Sequence, residues 1–363
     1  MICFNDKMEF IDPFNVESTH DISTAIIEKQ IVYDLQSLIP GNQKVLVIFT
    51  NPKSWGNIEL LVSTDTDIDY VVYNCSDHPF QYPNKHLTDI CQKPIIRLDG
   101  NFDSPYYYPY WLLASRRYAF KNDNPIVDKL KPHRVEYLCN KTRVSRIYMA
   151  VQLSTKNYFN DINIMWGHIN DTVYAPGAPI GRLTTDEFIK NIMTDTHGSE
   201  YFDFVNFNKG VEKFRQLRIR FESASAGAVF SIVDGLSTAY LQLVSESVLE
   251  KPSTFISEKI WKPIRAGQLF LVQGPIGTIE LLRYAGFDVF DDYIDHSRYD
   301  RELDWQKRTD LMLSVLDDIY PNIENIYFKT IERRQANIDR FKSQKLLGWA
   351  LSNVTKQIQN LNK

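Results

Sequence analysis

Short apolar runs alternate along this chain with longer stretches whose apolar residues recur at helical spacing. Lys44-Val45-Leu46-Val47-Ile48-Phe49-Thr50, Tyr70 to Asn74 and Pro94 to Leu98 are the clearest early runs. A strand buried on both faces reads this way, and such strands belong to parallel sheets covered by helices. Amphipathic spacing predicts helices over Ile22 to Leu38 and from about Trp55 to Ser63. A second series of runs follows at Val135 to Asn140, Val229 to Val233, Leu241 to Val244 and Leu269 to Val272. The spacing of Leu311, Leu313, Val315, Leu316 and Ile319 predicts a helix, and Asn322 to Asn362 is strongly helical. Arg333, Arg334, Arg340 and Lys342 fall at its polar positions, where exposure to solvent is expected.

Between the two series, Lys121 to His133 carries two prolines and several polar residues and reads as a linker. Residues 153–210 are the least patterned, with Gly177 to Gly181 marking a loop. Alternating strands and helices predict an α/β chain with two Rossmann-like lobes, a cleft between them and a long helical tail. The expected boundaries are 1–125, 126–320 and 321–363, with the last helices returning to the first lobe.

Chemistry concentrates where the second series ends. Ser245-Glu246-Ser247 leaves one strand, and Ser257 is a sound N-cap for a helix with Glu258 and Lys259 in its first turn. The turn Gly274-Pro275-Ile276-Gly277-Thr278 leaves the next strand, and the helix after it stops at Gly286. Open α/β sheets bind ligands at such strand ends. The exposed N–H groups of a helix start suit a diphosphate, and Gly274 and Gly277 let the backbone approach it. Lys259 adds a point charge, and Glu246 or Glu258 accepts hydrogen bonds from ribose hydroxyls. These residues predict a nucleoside-diphosphate site.

Ser245-Glu246-Ser247, then Phe255-Ile256-Ser257-Glu258-Lys259-Ile260-Trp261 and Ala266-Gly267, resemble the donor-binding signature of the α-1,3-fucosyltransferases. The continuation from Gly286-Phe287-Asp288-Val289-Phe290 to Ile294-Asp295-His296-Ser297 resembles glycosyltransferases encoded by tailed phages. The resemblance implies a GT-B glycosyltransferase that inverts the anomeric carbon and requires no metal, with Mg²⁺ or Mn²⁺ not expected. It also implies that Arg146, or else Arg143, contacts the donor diphosphate. In that family a glutamate on the acceptor side is the general base; Asp77 is the nearest match here, His78 a second candidate and Asp99 a reserve. Ser247, Phe255 and Ser257 depart from the Asn, Tyr and Thr of the signature, so the sugar is left open between hexoses and pentoses.

Composition narrows the partners. The chain has 363 residues, a net charge of -4 and four widely spaced cysteines, Cys3, Cys75, Cys91 and Cys139. Free thiols in a reducing compartment fit that spacing. No signal peptide or spanning run is visible, so a cytoplasmic protein without membrane insertion is expected, in the host cytoplasm if phage-encoded. The similarity to phage enzymes suggests a hydroxymethylated pyrimidine in DNA as acceptor, with Arg215, Arg218 and Arg220 as a local basic patch. A surface glycan is the other acceptor. The aromatic run Pro105 to Trp111 is either an acceptor wall or a plug between lobes. Two further readings stand beside this one. Asp65-Thr66-Asp67 would hold a metal in a GT-A transferase, and a catalytically silent module would only bind a nucleotide sugar or glycan.

Overall fold

A computed structural model describes residues 2–4, 34–35, 37–39, 45–49, 70–74, 94–99, 102, 104, 107–119, 128–139, 144–167, 220–222, 238–246, 249 and 256–361. The chain divides into two compact units.

The first unit comprises Met1–Tyr118, Ser253–Phe255 and Lys342–Lys363. Its sheet is parallel throughout, in the order β1 (Ile2–Phe4), β2 (Val45–Phe49), β3 (Tyr70–Asn74), β4 (Ile95–Leu98). Val71 and Val72 of β3 are buried, and in β4 Ile96 and Leu98 are buried while Ile95 and Arg97 between them are half-buried. The order runs one way across the sheet, so its described strands contain no reversal. Helix α1 (Tyr110–Ala119) buries Leu112, Leu113 and Ala114.

Tyr107 and Tyr108 of the aromatic run belong to this core. Tyr107 meets Phe102 edge-on at 5.4 Å, and the Tyr108 hydroxyl donates to the buried Asp34 carboxylate at 2.5 Å. The C-terminal helix Gln344–Leu361 closes the edge of β4. The Gln357 amide accepts from Arg97 N–H and donates to Arg97 C=O, each at 2.9 Å, as a neighbouring strand would. Covering an edge in this way removes a site for unwanted strand pairing.

The second unit comprises Ala119–Pro252 and Ile256–Phe341. Its five strands are β5 (His133–Cys139), β6 (Ile162–Gly167), β7 (Arg220–Glu222), β8 (Ala239–Ser245) and β9 (Leu269–Gln273). They lie in the order β7-β6-β5-β8-β9, all parallel. The chain winds outward from β5 through β7, then restarts on the other side of β5 with β8. This is the doubly wound arrangement, and its reversal point lies between β5 and β8. Every residue of β8 and β9 is buried, because helices cover the sheet. The covering helices are α2 (Val144–Leu153), α3 (Glu258–Arg265), α4 (Thr278–Tyr284), α5 (Trp305–Ile319), α6 (Ile323–Lys329) and α7 (Ile331–Lys342).

Several expectations shift. The tail 321–363 is divided: α6 and α7 pack in the second unit, and only the residues from Lys342 belong to the first. Arg334 is responsible for part of this. Its guanidinium lies 3.4 Å over the Tyr327 ring, donates to Tyr327 C=O at 2.9 Å and reaches Gly267 C=O just before β9. Arg334 is fully buried and so is an internal fastener, and the half-buried Arg340 holds Ala285 C=O at 2.8 Å. Strand β6 and the 3-10 turn Phe159–Asp161 arise in the stretch that showed least pattern. The expected helix over Trp55 to Ser63 and strand over Val229 to Val233 lie outside the described residues. Of the helix expected over Ile22 to Leu38, residues 34–35 and 37–38 are described and are helical.

Candidate functional site

Glu246 stands one residue beyond β8, with its N–H donating to Gln273 C=O at 2.9 Å. Its side chain is fully buried. Oε2 accepts from the Ser257 N–H at 3.3 Å and from the Ser257 hydroxyl. Ser257 has extended backbone angles, and its Oγ accepts from Lys259 N–H, which makes it the N-cap of α3. The Lys259 ammonium donates to the same Oγ at 2.9 Å and to Glu258 Oε1 at 2.8 Å. Glu246, Ser257, Lys259 and Glu258 thus form one chain of contacts, built by a strand end meeting a capped helix.

The remaining oxygen decides what the cluster offers. Glu246 Oε1 is buried and has no hydrogen-bond partner among the described residues. Leaving a buried acceptor unmade costs about 1–3 kcal/mol, more for a charged group. Burial pushes the Glu246 carboxyl above its ordinary range, against the opposing pull of Lys259 and Ser257. Burial acts the same way on Glu258, but Lys259 and Lys262 together outweigh it and hold that carboxyl below its usual value. Burial lowers Lys262 to about 8, with Glu258 opposing.

Arg146 enters from the first turn of α2, 2% exposed, and donates through Nη2 to Ser245 C=O at 3.3 Å. The Tyr137 hydroxyl donates to Arg146 C=O at 3.4 Å. Cys139 ends β5, and burial pushes its thiol up to about 11, with the charges of Arg146 and Lys259 pulling the other way. Arg146, Cys139, Glu246, Ser257 and Lys259 therefore gather at the C-terminal ends of β5 and β8. That is where a doubly wound sheet presents its ligand crevice. The Lys259 side chain is 22% exposed and the Glu258 side chain 13%, so the cluster opens to solvent on one side. Two cations and one unfilled carboxylate oxygen suit a ligand carrying both phosphate and hydroxyl groups.

The glycine turn follows Gln273 directly, but two of its amides are already bonded within the fold. Gly277 has φ 77, the left-handed geometry that favours glycine, but its N–H donates to Asp300 C=O at 3.0 Å. Thr278 N–H turns back to Pro275 C=O. The Asp300 carboxylate then accepts from Ile279 N–H at 2.9 Å and Glu280 N–H at 3.3 Å. An internal carboxylate occupies the position expected for phosphate. At Gly274, a Cβ would meet Thr278 Oγ1 at 2.7 Å, so the close approach there serves packing. Replacing Asp300 with alanine is expected to cost about 1–2 kcal/mol in thermal unfolding, the worth of a lost helix cap. Affinity for a nucleotide at the Glu246 cluster should stay within about twofold by calorimetric titration, as for separate sites without shared partners.

His296 is likewise structural. Nε2 faces Val289 C=O at 2.8 Å and must donate there, so Nδ1 accepts from the Tyr299 hydroxyl at 2.6 Å. Burial lowers its basicity to about 4, which keeps the ring neutral.

Asp99 stands one residue beyond β4 in the first unit, where its carbonyl accepts from Tyr108 N–H at 2.7 Å. Asp65, Asp67, Asp77, His78, Arg143, Ser247 and Phe255 lie outside the described residues, as do Arg215 and Arg218. Arg220 opens β7. Among the described residues no group of three or more His, Cys, Asp or Glu is placed to hold a metal ion, and no helix is long and apolar enough to cross a membrane. The sequence reading missed Cys139 and Gln273 at the site and Asp300 at the turn. The only signal for Gln273 was a polar residue closing the apolar run Leu269 to Val272.

No family model and no curated protein matches the chain. Among solved structures it is similar to a glycosyltransferase from Rickettsia africae ESF-5, at 9% identity, covering 95% of this chain and 84% of that one, with a TM-score of 0.42. A sucrose-phosphate synthase from Thermosynechococcus elongatus gives 10% identity, 93% and 71% coverage and a TM-score of 0.38. The glycosylation-associated Gap123 complex from Streptococcus agalactiae gives 11% identity, 90% and 62% coverage and a TM-score of 0.30. These TM-scores are too low to establish a shared fold.

Proposed function

We propose that the second unit binds a nucleoside-diphosphate sugar and that the protein transfers its sugar to an acceptor hydroxyl. One observation carries this reading. A buried carboxylate with an unfilled oxygen, Glu246, sits beside Lys259 and Arg146 at the reversal point of a doubly wound sheet. Ribose or sugar hydroxyls would donate to Glu246 Oε1. The diphosphate would lie against Lys259 and Arg146, whose charges meet the negative charge that grows as the sugar leaves. The fucosyltransferase-like spacing from Ser245 to Trp261 supports the same assignment.

In this reading the two cations supply the charge stabilisation and no metal is required. The acceptor hydroxyl attacks C1 from the opposite face, so the product is inverted. By the resemblance to the fucosyltransferases, Asp77, His78 or Asp99 takes its proton. The similarity to phage enzymes supports a hydroxymethylated pyrimidine in DNA as acceptor, with a surface glycan as the other class, and a cytoplasmic location.

Thermal unfolding of the full chain against UDP-, GDP-, dTDP- and CDP-sugars tests the donor. A cognate donor at about a hundred times its dissociation constant should add about 2.7 kcal/mol of stability. The same donor should release nucleoside diphosphate slowly in water, and in the presence of a chelator as fast as without it. No stabilisation by any of the four classes would overturn the donor site. Loss of turnover on chelation would return the metal-dependent alternative.

A further inference from the structure

Gln273 closes β9 with its side chain buried among three elements. Its Oε1 accepts from the Ser245 hydroxyl at the end of β8. Its Nε2 donates to Thr309 Oγ1 of α5 at 2.8 Å and to Ser145 C=O of α2 at 3.2 Å. Its own C=O accepts from Glu246 N–H at 2.9 Å. Ser145 is the residue before Arg146, and Ser245 is the residue before Glu246.

We propose that Gln273 is a positioning residue for the donor site: it sets where Arg146 and Glu246 stand relative to each other. Its side chain holds the first turn of α2, which carries the arginine, and its backbone holds the acid. Arg146 in turn donates to Ser245 C=O at 3.3 Å, so arginine, serine and glutamine close a ring of contacts around the end of β8. A primary amide suits the place because it supplies an acceptor to Ser245 and donors to Thr309 and Ser145 from one planar group. A carboxylate there would lack the two donors, and methionine would lack them too and offer only a weakly accepting sulfur. This inference rests on the donor reading above.

The experiment is a double-mutant cycle between Gln273→Met and Arg146→Lys in the full chain, read as affinity for UDP, GDP, dTDP and CDP. Gln273→Met alone should weaken the nucleotide that binds by about tenfold, and in the Arg146→Lys background the same change should cost less than about twofold. A residue that merely lowers stability would give equal losses in both backgrounds, and equal losses would overturn the proposal. If Gln273→Met does not fold by circular dichroism, Ser245→Ala takes its place in the cycle. That variant leaves Gln273 present but frees its Oε1 from β8, and about a threefold loss confined to the Arg146 background is expected. Wild-type binding with an unchanged variant overturns the positioning role alone. No binding of any of the four nucleoside diphosphates by the wild type overturns the donor site and this inference with it.

Discussion

Lys259→Ala is expected to lower turnover about a hundredfold, the usual effect of removing one donor from a charge-stabilising site. The ammonium is held in place at both ends of its reach, 2.9 Å from Ser257 Oγ and 2.8 Å from Glu258 Oε1. Little reorganisation is then needed when a leaving diphosphate gains charge beside it. The variant should fold, because the side chain is partly exposed and its loss opens no core cavity. It should also change two neighbours. Glu258 loses the ammonium whose pull holds its carboxyl low, and Glu246 loses an opposing charge and moves further up. Donor turnover, measured as nucleoside-diphosphate release, separates the two roles Lys259 can play. A hundredfold fall in kcat at unchanged KM marks a charge felt only in the transition state; a raised KM at constant kcat marks ground-state binding. Unchanged kinetics would remove Lys259 from the site.

The sequence was most legible where one physical signal dominated. The apolar runs at Leu46, Val71, Ile96, Leu241 and Leu269 are all strands of parallel sheets, and at Leu241 and Leu269 the covering helices exclude water from both faces. Ser257 capped a helix as expected, since a hydroxyl at that position satisfies an N–H the helix leaves bare. The union of Glu246, Ser257 and Lys259 followed from these two facts together. The glycine turn failed for a reason local sequence does not carry. Asp300, twenty-two residues beyond Thr278, returns to cap α4 and uses the amides that looked free. The arginines of the tail misled in the same way. A polar position on an amphipathic helix does not reveal that Arg334 finds the Tyr327 ring and the Gly267 carbonyl inside the fold. Long-range partners, not local pattern, decided both.

Glu246→Gln should separate stability from binding, because the two respond to the carboxylate with opposite signs. The free carboxyl titrates near 4.5, and burial raises it in the folded protein. Between those two values the unfolded chain has lost its proton while the native state keeps it, so native stability falls as pH rises through that window. The glutamine variant lacks this dependence. It keeps an oxygen for the Ser257 N–H and hydroxyl and places an uncharged amide at the position of Oε1. Above the window it should be as stable as the wild type or more so, whereas below pH about 4.5 the two should converge. Binding should move the other way. A hydrogen bond to a charged acceptor is worth about 1.5–3 kcal/mol, so donor affinity is expected to fall about tenfold to a hundredfold. Chemical denaturation from pH 4 to 9, alongside calorimetric titration of the donor at pH 8, measures both. A buried acid kept at a cost in stability and needed for the ligand would show shifts of opposite sign; a variant that gained stability and bound the donor as well as the wild type would leave Glu246 with no part in the site.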